Sequence, residues 1–110
     1  MNPFQKEHEQ LLKNQSDRKE ERIAVANLVI DEIRDPKTLA HQKISKEYQN
    51  IQIKLGKNDL SPHIHDRLKI FENHQHLDSE IRTILNSIPH MQVLIVNNNS
   101  YGDFVSVTIQ

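Results

Sequence analysis

The 110-residue sequence contains no cysteine. That excludes a disulfide framework, a cysteine nucleophile and thiolate-bound metal. Glycine occurs only at Gly56 and Gly102, each isolated. Phosphate-binding loops need several glycines so that backbone N–H groups can close on the ligand, so the familiar nucleotide-binding loops are excluded. No apolar run approaches the roughly 20 residues of a membrane span. The stretch from Met1 to Glu9 lacks the apolar centre of a signal peptide. A cytoplasmic protein without membrane attachment is expected. Apolar residues make up 35% of the chain, against roughly 45–50% in typical globular proteins. The core is therefore expected to be thin, and a second copy would help to complete it.

Charge is missing from one region in particular. From Thr83 to Gln110 the only charged side chain is Asp103, and no Lys or Arg follows Arg82. Upstream, charge is plentiful and uneven. Residues 37–57 hold Lys37, Lys43, Lys46, Lys54 and Lys57 against Glu47 alone, whereas the flanking segments are net acidic. The boundary near Pro89 also marks a change in hydrophobic period, from helix-like to strand-like. One domain over 1–110 is expected, with a helical body at 1–88 and a neutral hairpin at 89–110.

The first helical signal runs from Asn2 to Arg34, with Pro3 suited to a first turn. Its centre, Lys13 to Arg22, has no apolar side chain, but also no Gly or Pro, which favours one long or interrupted helix. Residues 23–33 are apolar on most sides and form the best core candidate. Asp35-Pro36 ends this segment and could cap the next. A second helix is predicted over 36–55 from Ala40, Ile44, Tyr48, Ile51 and Leu55, with Gly56 as its left-handed C-terminal residue. A third is predicted over 62–75 with Ile64, Leu68 and Phe71 inward. A short fourth follows Asp78-Ser79, carrying Ile81, Ile84, Leu85 and Ile88, and Pro89 stops it. Met91–Val96 and Phe104–Ile109 then read as strands around a turn-rich segment at 97–103.

Seven histidines raise the question of metal. His63-x-His65 and His74-x-His76 are the closest pairs. Residues two apart on a helix point about 200° from each other, so neither pair chelates as it stands. Solvated histidines near helix ends are the simpler reading, and no metal or other cofactor is expected. His65-Asp66 and the His76–Asp78 stretch offer residue types used in acid–base catalysis, but adjacency defines no geometry, and capping is the simpler role for Asp78. An enzyme is not expected. On an idealised helix Lys43, Lys46, Lys54 and Lys57 fall within an arc of about 80°. That stripe could meet phosphates or an acidic partner. It could equally be a solvated face, or one paired internally with the acidic segments.

The order helix, turn, helix, hairpin across residues 62–109 resembles a winged helix-turn-helix. The resemblance implies a recognition helix at 79–88, offering Arg82, Thr83 and Asn86, and a wing at 97–103. This wing carries no positive charge and one negative, whereas phosphate contacts normally dominate DNA affinity.

An α+β fold is expected: a mainly helical body of three to four helices closed by a C-terminal two-stranded hairpin. An isolated hairpin is marginal in water, and this one lacks lysines and prolines to guard its edges. The expected function is a non-enzymatic protein-interaction or regulatory module, homo-oligomeric through the hairpin. Val93, Ile95, Val105, Val107 and Ile109 are the main contact candidates, with Lys43, Lys46, Lys54 and Lys57 as a second surface. The alternative is a nucleic-acid-binding regulator. Abundant Asn, Ile and Lys point to an AT-rich genome, bacterial or viral.

Overall fold

A computed structural model describes residues 3–71, 78–97, 100 and 102–110, with side chains from Arg18 onward. It contains four α-helices, one 3₁₀ segment and a three-stranded antiparallel sheet. Helix α1 (Pro3–Arg34) is a single helix of 32 residues, about 48 Å long at 1.5 Å per residue. Its C-terminal half forms the centre of the molecule. Val25, Ala26, Val29, Ile30 and Ile33 recur at helical spacing and are all buried. They pack against α2 (Leu39–Ser45), α3 (Pro62–His65), the 3₁₀ segment (Asp66–Phe71) and α4 (Ser79–Leu85). No helix among the described residues is long and apolar enough to cross a membrane.

The turn between α1 and α2 is held by side chains. His41 Nδ1 donates to the Ile33 carbonyl at 2.8 Å, satisfying one of the carbonyls that every helix C-terminus leaves without a partner. Thr38 caps α2 by accepting from the His41 N–H at 3.1 Å. The expected cap, Asp35, instead accepts from the Lys37 N–H at 3.0 Å.

The main departure from the sequence reading lies at 46–55. Helix α2 stops at Ser45, and Gln52–Leu55 forms strand β1. The helical spacing there is a coincidence of composition. Tyr48 and Ile51, two members of the supposed stripe, are exposed, whereas Ile53 and Leu55 are buried. Gln52-Ile53-Lys54-Leu55 also alternates polar and apolar, and the strand period is the one the packing satisfies. Gly56 is not left-handed; Asn50 (φ 67°), His90 (φ 64°) and Gly102 (φ 78°) are.

β1 pairs with β3 (Phe104–Ile109), and β3 also pairs with β2 (Met91–Val96), giving the order β1-β3-β2. The hairpin is therefore two-thirds of a sheet rather than a free two-stranded unit. Its inner face carries Ile53, Leu55, Val93, Val105 and Val107, all buried, in one core with the helices. The third predicted helix is two pieces, α3 and the 3₁₀ segment, with Ile64, Leu68 and Phe71 inward as expected. The end of that predicted helix, 72–75, lies outside the described residues, as do His74 and His76.

α4 runs alongside α1 in the same direction. Lys19 lies 3.7 Å from Glu80, Arg22 lies 4.0 Å from Asp78, and Arg34 Nη2 donates to the Ser87 carbonyl at 3.1 Å. Asp78 occupies the N-cap position of α4, but its side chain makes no cap hydrogen bond. The α3 end is tied to α1 by Glu32, a buried carboxylate that accepts from both the Ser61 N–H and the Ser61 hydroxyl.

Candidate functional site

Strand alternation and pairing register define the outer face of the sheet. Three cross-strand rows face away from the core: Gln52–Thr108–Gln92, Lys54–Ser106–Leu94, and Phe104–Val96 at the loop end. Ser106 lies between Lys54 and Leu94, is 1% exposed, and accepts from Gln52 Nε2 at 2.8 Å. The Lys54 ammonium sits 5.3 Å from the centroid of the Phe104 ring, within cation–π range. Leu94 is 46% exposed and borders Val96 and Phe104, both half-buried. The face thus has an apolar strip with a polar margin of Gln52, Lys54, Gln92 and Thr108.

The predicted contact residues divide between core and surface. Val93, Val105 and Val107 fill the protein's own core at 1% exposure or less. Ile95 and Ile109 are partly buried against the same core. β3 is the central strand, bonded on both sides, so it offers no edge; the edge left by the hairpin belongs to β2. The outer-face residues Leu94, Val96 and Phe104 lie within the two strands expected to form the contact, Met91–Val96 and Phe104–Ile109, but are not among the candidates singled out there. Leu94 and Val96 follow from alternation once Val93 and Ile95 are placed inward. Phe104 required the register.

The lysine arc does not exist as one helical face, because Lys43 is on α2 and Lys54 on β1. Lys43 Nζ donates to the Lys54 carbonyl at 3.0 Å and to Asp59 Oδ2 at 3.1 Å. The same Asp59 oxygen accepts from the Gly56 N–H at 3.2 Å. Lys43 is thus a clasp joining α2, β1 and the loop after it. Lys46 and Lys57 are exposed. The acidic neighbour anticipated for this segment is Asp59.

On the face of α4 opposite the buried Ile81 and Leu85 lie Ser79, Thr83 and Asn86, with Arg82 at the side; all are exposed. Thr83 Oγ1 donates back to the Ser79 carbonyl at 2.8 Å. At the loop end, Asn97 Nδ2 donates to the Leu68 carbonyl at 3.3 Å and to Asp103 Oδ1 at 3.1 Å. Asn98, Asn99 and Tyr101 of the predicted wing lie outside the described residues.

His65 Nδ1 lies 3.7 Å from Asp66 Oδ1. No group of three or more potential metal ligands occurs among the described residues. A groove of about 430 Å³ separates α1 from the 3₁₀ segment, lined by Glu21, Ala24, Val25, Asp66, Arg67 and Ile70. That lining brings no histidine, serine or threonine to its carboxylates, so no nucleophile–base pair is assembled there. The chain matches no protein-family profile, no curated protein and no solved structure.

Proposed function

We propose that this chain is a non-enzymatic, regulatory protein-interaction module that works through the outer face and open edge of its C-terminal hairpin. The observation behind this reading is the exposed Leu94, beside Val96 and Phe104, on a hairpin that itself carries no Lys or Arg, with Lys54 of β1 as the neighbouring cation. Protein interfaces concentrate apolar and aromatic contact at the centre and exclude charge from it. The strip and its polar margin have that composition. Lys54, with its ammonium over Phe104, is exposed at the border, where its charge can stay solvated.

The test is affinity capture from the native cell with three baits: wild type, Leu94→Lys and Arg82→Ala. A partner held by wild type and Arg82→Ala, but reduced at least tenfold with Leu94→Lys, supports the hairpin surface. A partner lost with Arg82→Ala and kept by Leu94→Lys overturns it.

A second reading, a winged helix-turn-helix that binds nucleic acid, is favoured by one observation. β1 falls between α2 and α3 and joins the hairpin, so the two helices 62–71 and 79–85 are framed by a small sheet. Element order is an analogy of fold, and fold does not carry function. Chemistry points the other way: the α4 segment and everything after it contain one fixed cation, Arg82. Each phosphate contact contributes about −0.9 to the slope of log affinity against log salt. A measured slope steeper than about −4 would establish a multi-contact nucleic-acid site and favour this second reading.

A further inference from the structure

The open edge of β2 has a definable hydrogen-bonding phase. Gln110 N–H donates to the His90 carbonyl at 2.7 Å, and the register pairs Met91 with Ile109 through to Val96 with Phe104. Bonded and non-bonded pairs alternate along an antiparallel ladder. Since His90–Gln110 is bonded, so are the Gln92–Thr108, Leu94–Ser106 and Val96–Phe104 pairs. The N–H and C=O groups of Met91, Val93 and Ile95 consequently point away from β3, the Met91 N–H donating instead to the Ile88 carbonyl at 3.4 Å, so the open groups centre on Val93 and Ile95. No strand lies on that side among the described residues. β2 contains none of the lysines, prolines or inward charges that natural proteins place on exposed edges.

We propose that a second copy of this chain occupies this edge, its β2 pairing antiparallel about a two-fold axis at Leu94. The proposal rests on the hairpin reading above and names the partner. Self-pairing demands that a strand tolerate its own reversed sequence, and like charges directly opposite each other destabilise a sheet. β2 carries no charge, so it meets its copy without that penalty. The outward backbone groups lie on odd-numbered residues, and a two-fold axis perpendicular to the sheet keeps the two inner faces on one side. Only axes at a residue satisfy both conditions.

An axis at Leu94 bonds Val93 to Ile95 of the copy in both directions. It sets the two Leu94 side chains directly opposite as a non-bonded pair, the closer kind, and places Gln92 opposite Val96. An axis at Val93 would leave the exposed Leu94 opposite Gln92 instead. Matching leucine with leucine covers more apolar surface. The contact of five paired residues a side, 92–96, falls at or below the ~1,200 Å² low end of stable interfaces, so the dimer is concentration-dependent.

Because the chain has no cysteine, single thiols report the register directly. Leu94→Cys, oxidised with glutathione disulfide, is expected to form a covalent dimer at least tenfold faster than Asn86→Cys, an exposed collision control at the C-cap of α4. Gln92→Cys mixed with Val96→Cys is expected to cross-link preferentially as the heterodimer. Sedimentation of unmodified protein, which does not depend on any variant folding, is expected to show monomer–dimer exchange, weakened at least tenfold by Leu94→Lys. A strict monomer at millimolar concentration overturns the proposal, as does Leu94→Cys cross-linking no faster than the control. A monomer that still loses a captured heterologous partner on Leu94→Lys overturns the second copy alone and leaves the hairpin-surface reading standing.

Discussion

Asn97 reaches across the base of the hairpin loop to Asp103, donating its side-chain amide to Oδ1 at 3.1 Å, and also donates to the Leu68 carbonyl at 3.3 Å. Asp103 is the one charge in the C-terminal 28 residues. It serves the loop's internal structure, and the bond to Leu68 ties the hairpin to the 3₁₀ segment. Asn97→Ala removes both bonds and leaves the buried Leu68 backbone without one partner. A loss of about 1–2 kcal/mol is expected, read as a lower urea midpoint with an unchanged slope. Asp103→Asn keeps an acceptor at the same place, so its loss is expected to be smaller.

Glu32 and Ser61 make a similar tie between α1 and the start of α3. Glu32→Ala leaves the Ser61 N–H and hydroxyl without their acceptor in a part-buried setting. A cost of about 1–3 kcal/mol is expected. Glu32→Gln restores one acceptor oxygen and is expected to recover part of that loss in the same unfolding measurement.

His90 and Asn50, both left-handed, flank the end of β3. The His90 carbonyl accepts from the Gln110 N–H, and the Asn50 N–H donates to the Ile109 carbonyl, each at 2.7 Å. A left-handed conformation costs an L-residue about 1–2 kcal/mol, whereas glycine adopts it freely but loses more chain entropy on folding. His90→Gly is therefore expected to be neutral or stabilising by up to about 1 kcal/mol. His90→Val, β-branched, is expected to destabilise by more than about 1 kcal/mol. Thermal midpoints of the two variants moving in the same direction would contradict this account.

Asp59 and Lys43 differ in what their removal exposes. Lys43 is half-exposed, so Lys43→Met loses a screened ion pair and is expected to cost under about 1 kcal/mol. Asp59→Ala also leaves the Gly56 N–H without its acceptor, and is expected to cost about 1–2 kcal/mol. Equal effects in chemical denaturation would mean that the Gly56 bond contributes nothing.

Much of the helical core was legible from pattern. Residues 23–33 are apolar on most sides, and Val25, Ala26, Val29, Ile30 and Ile33 among them are buried, with Ile23 and Leu28 partly so; Ile64, Leu68 and Phe71 share a helical face, as do Ile81 and Leu85, and all five are buried where periodicity placed them. Capping was less legible. Asp35, Ser61 and Asp78 have cap-forming side chains, yet Thr38 provides the side-chain cap of α2, while Ser61 bonds Glu32 and Asp78 faces Arg22. A short polar side chain has several backbone and side-chain partners within reach, and distant residues decide among them.

The candidate surface shows the same division. By itself the sequence determined the alternation of β3, a β2 that is apolar on both faces, the absence of Lys and Arg beyond Arg82, and hence a neutral hairpin with apolar surface to bury. These are local properties of spacing and composition. Only the tertiary structure decided that residues 52–55 are a strand and that β3 is central. It alone left β2 with the open edge and set Leu94, Val96 and Phe104 side by side. The four residues of β1 fit either a helix turn or a strand on local pattern. Their state is settled by bonds to Val105–Thr108, some fifty positions away, which no local periodicity records.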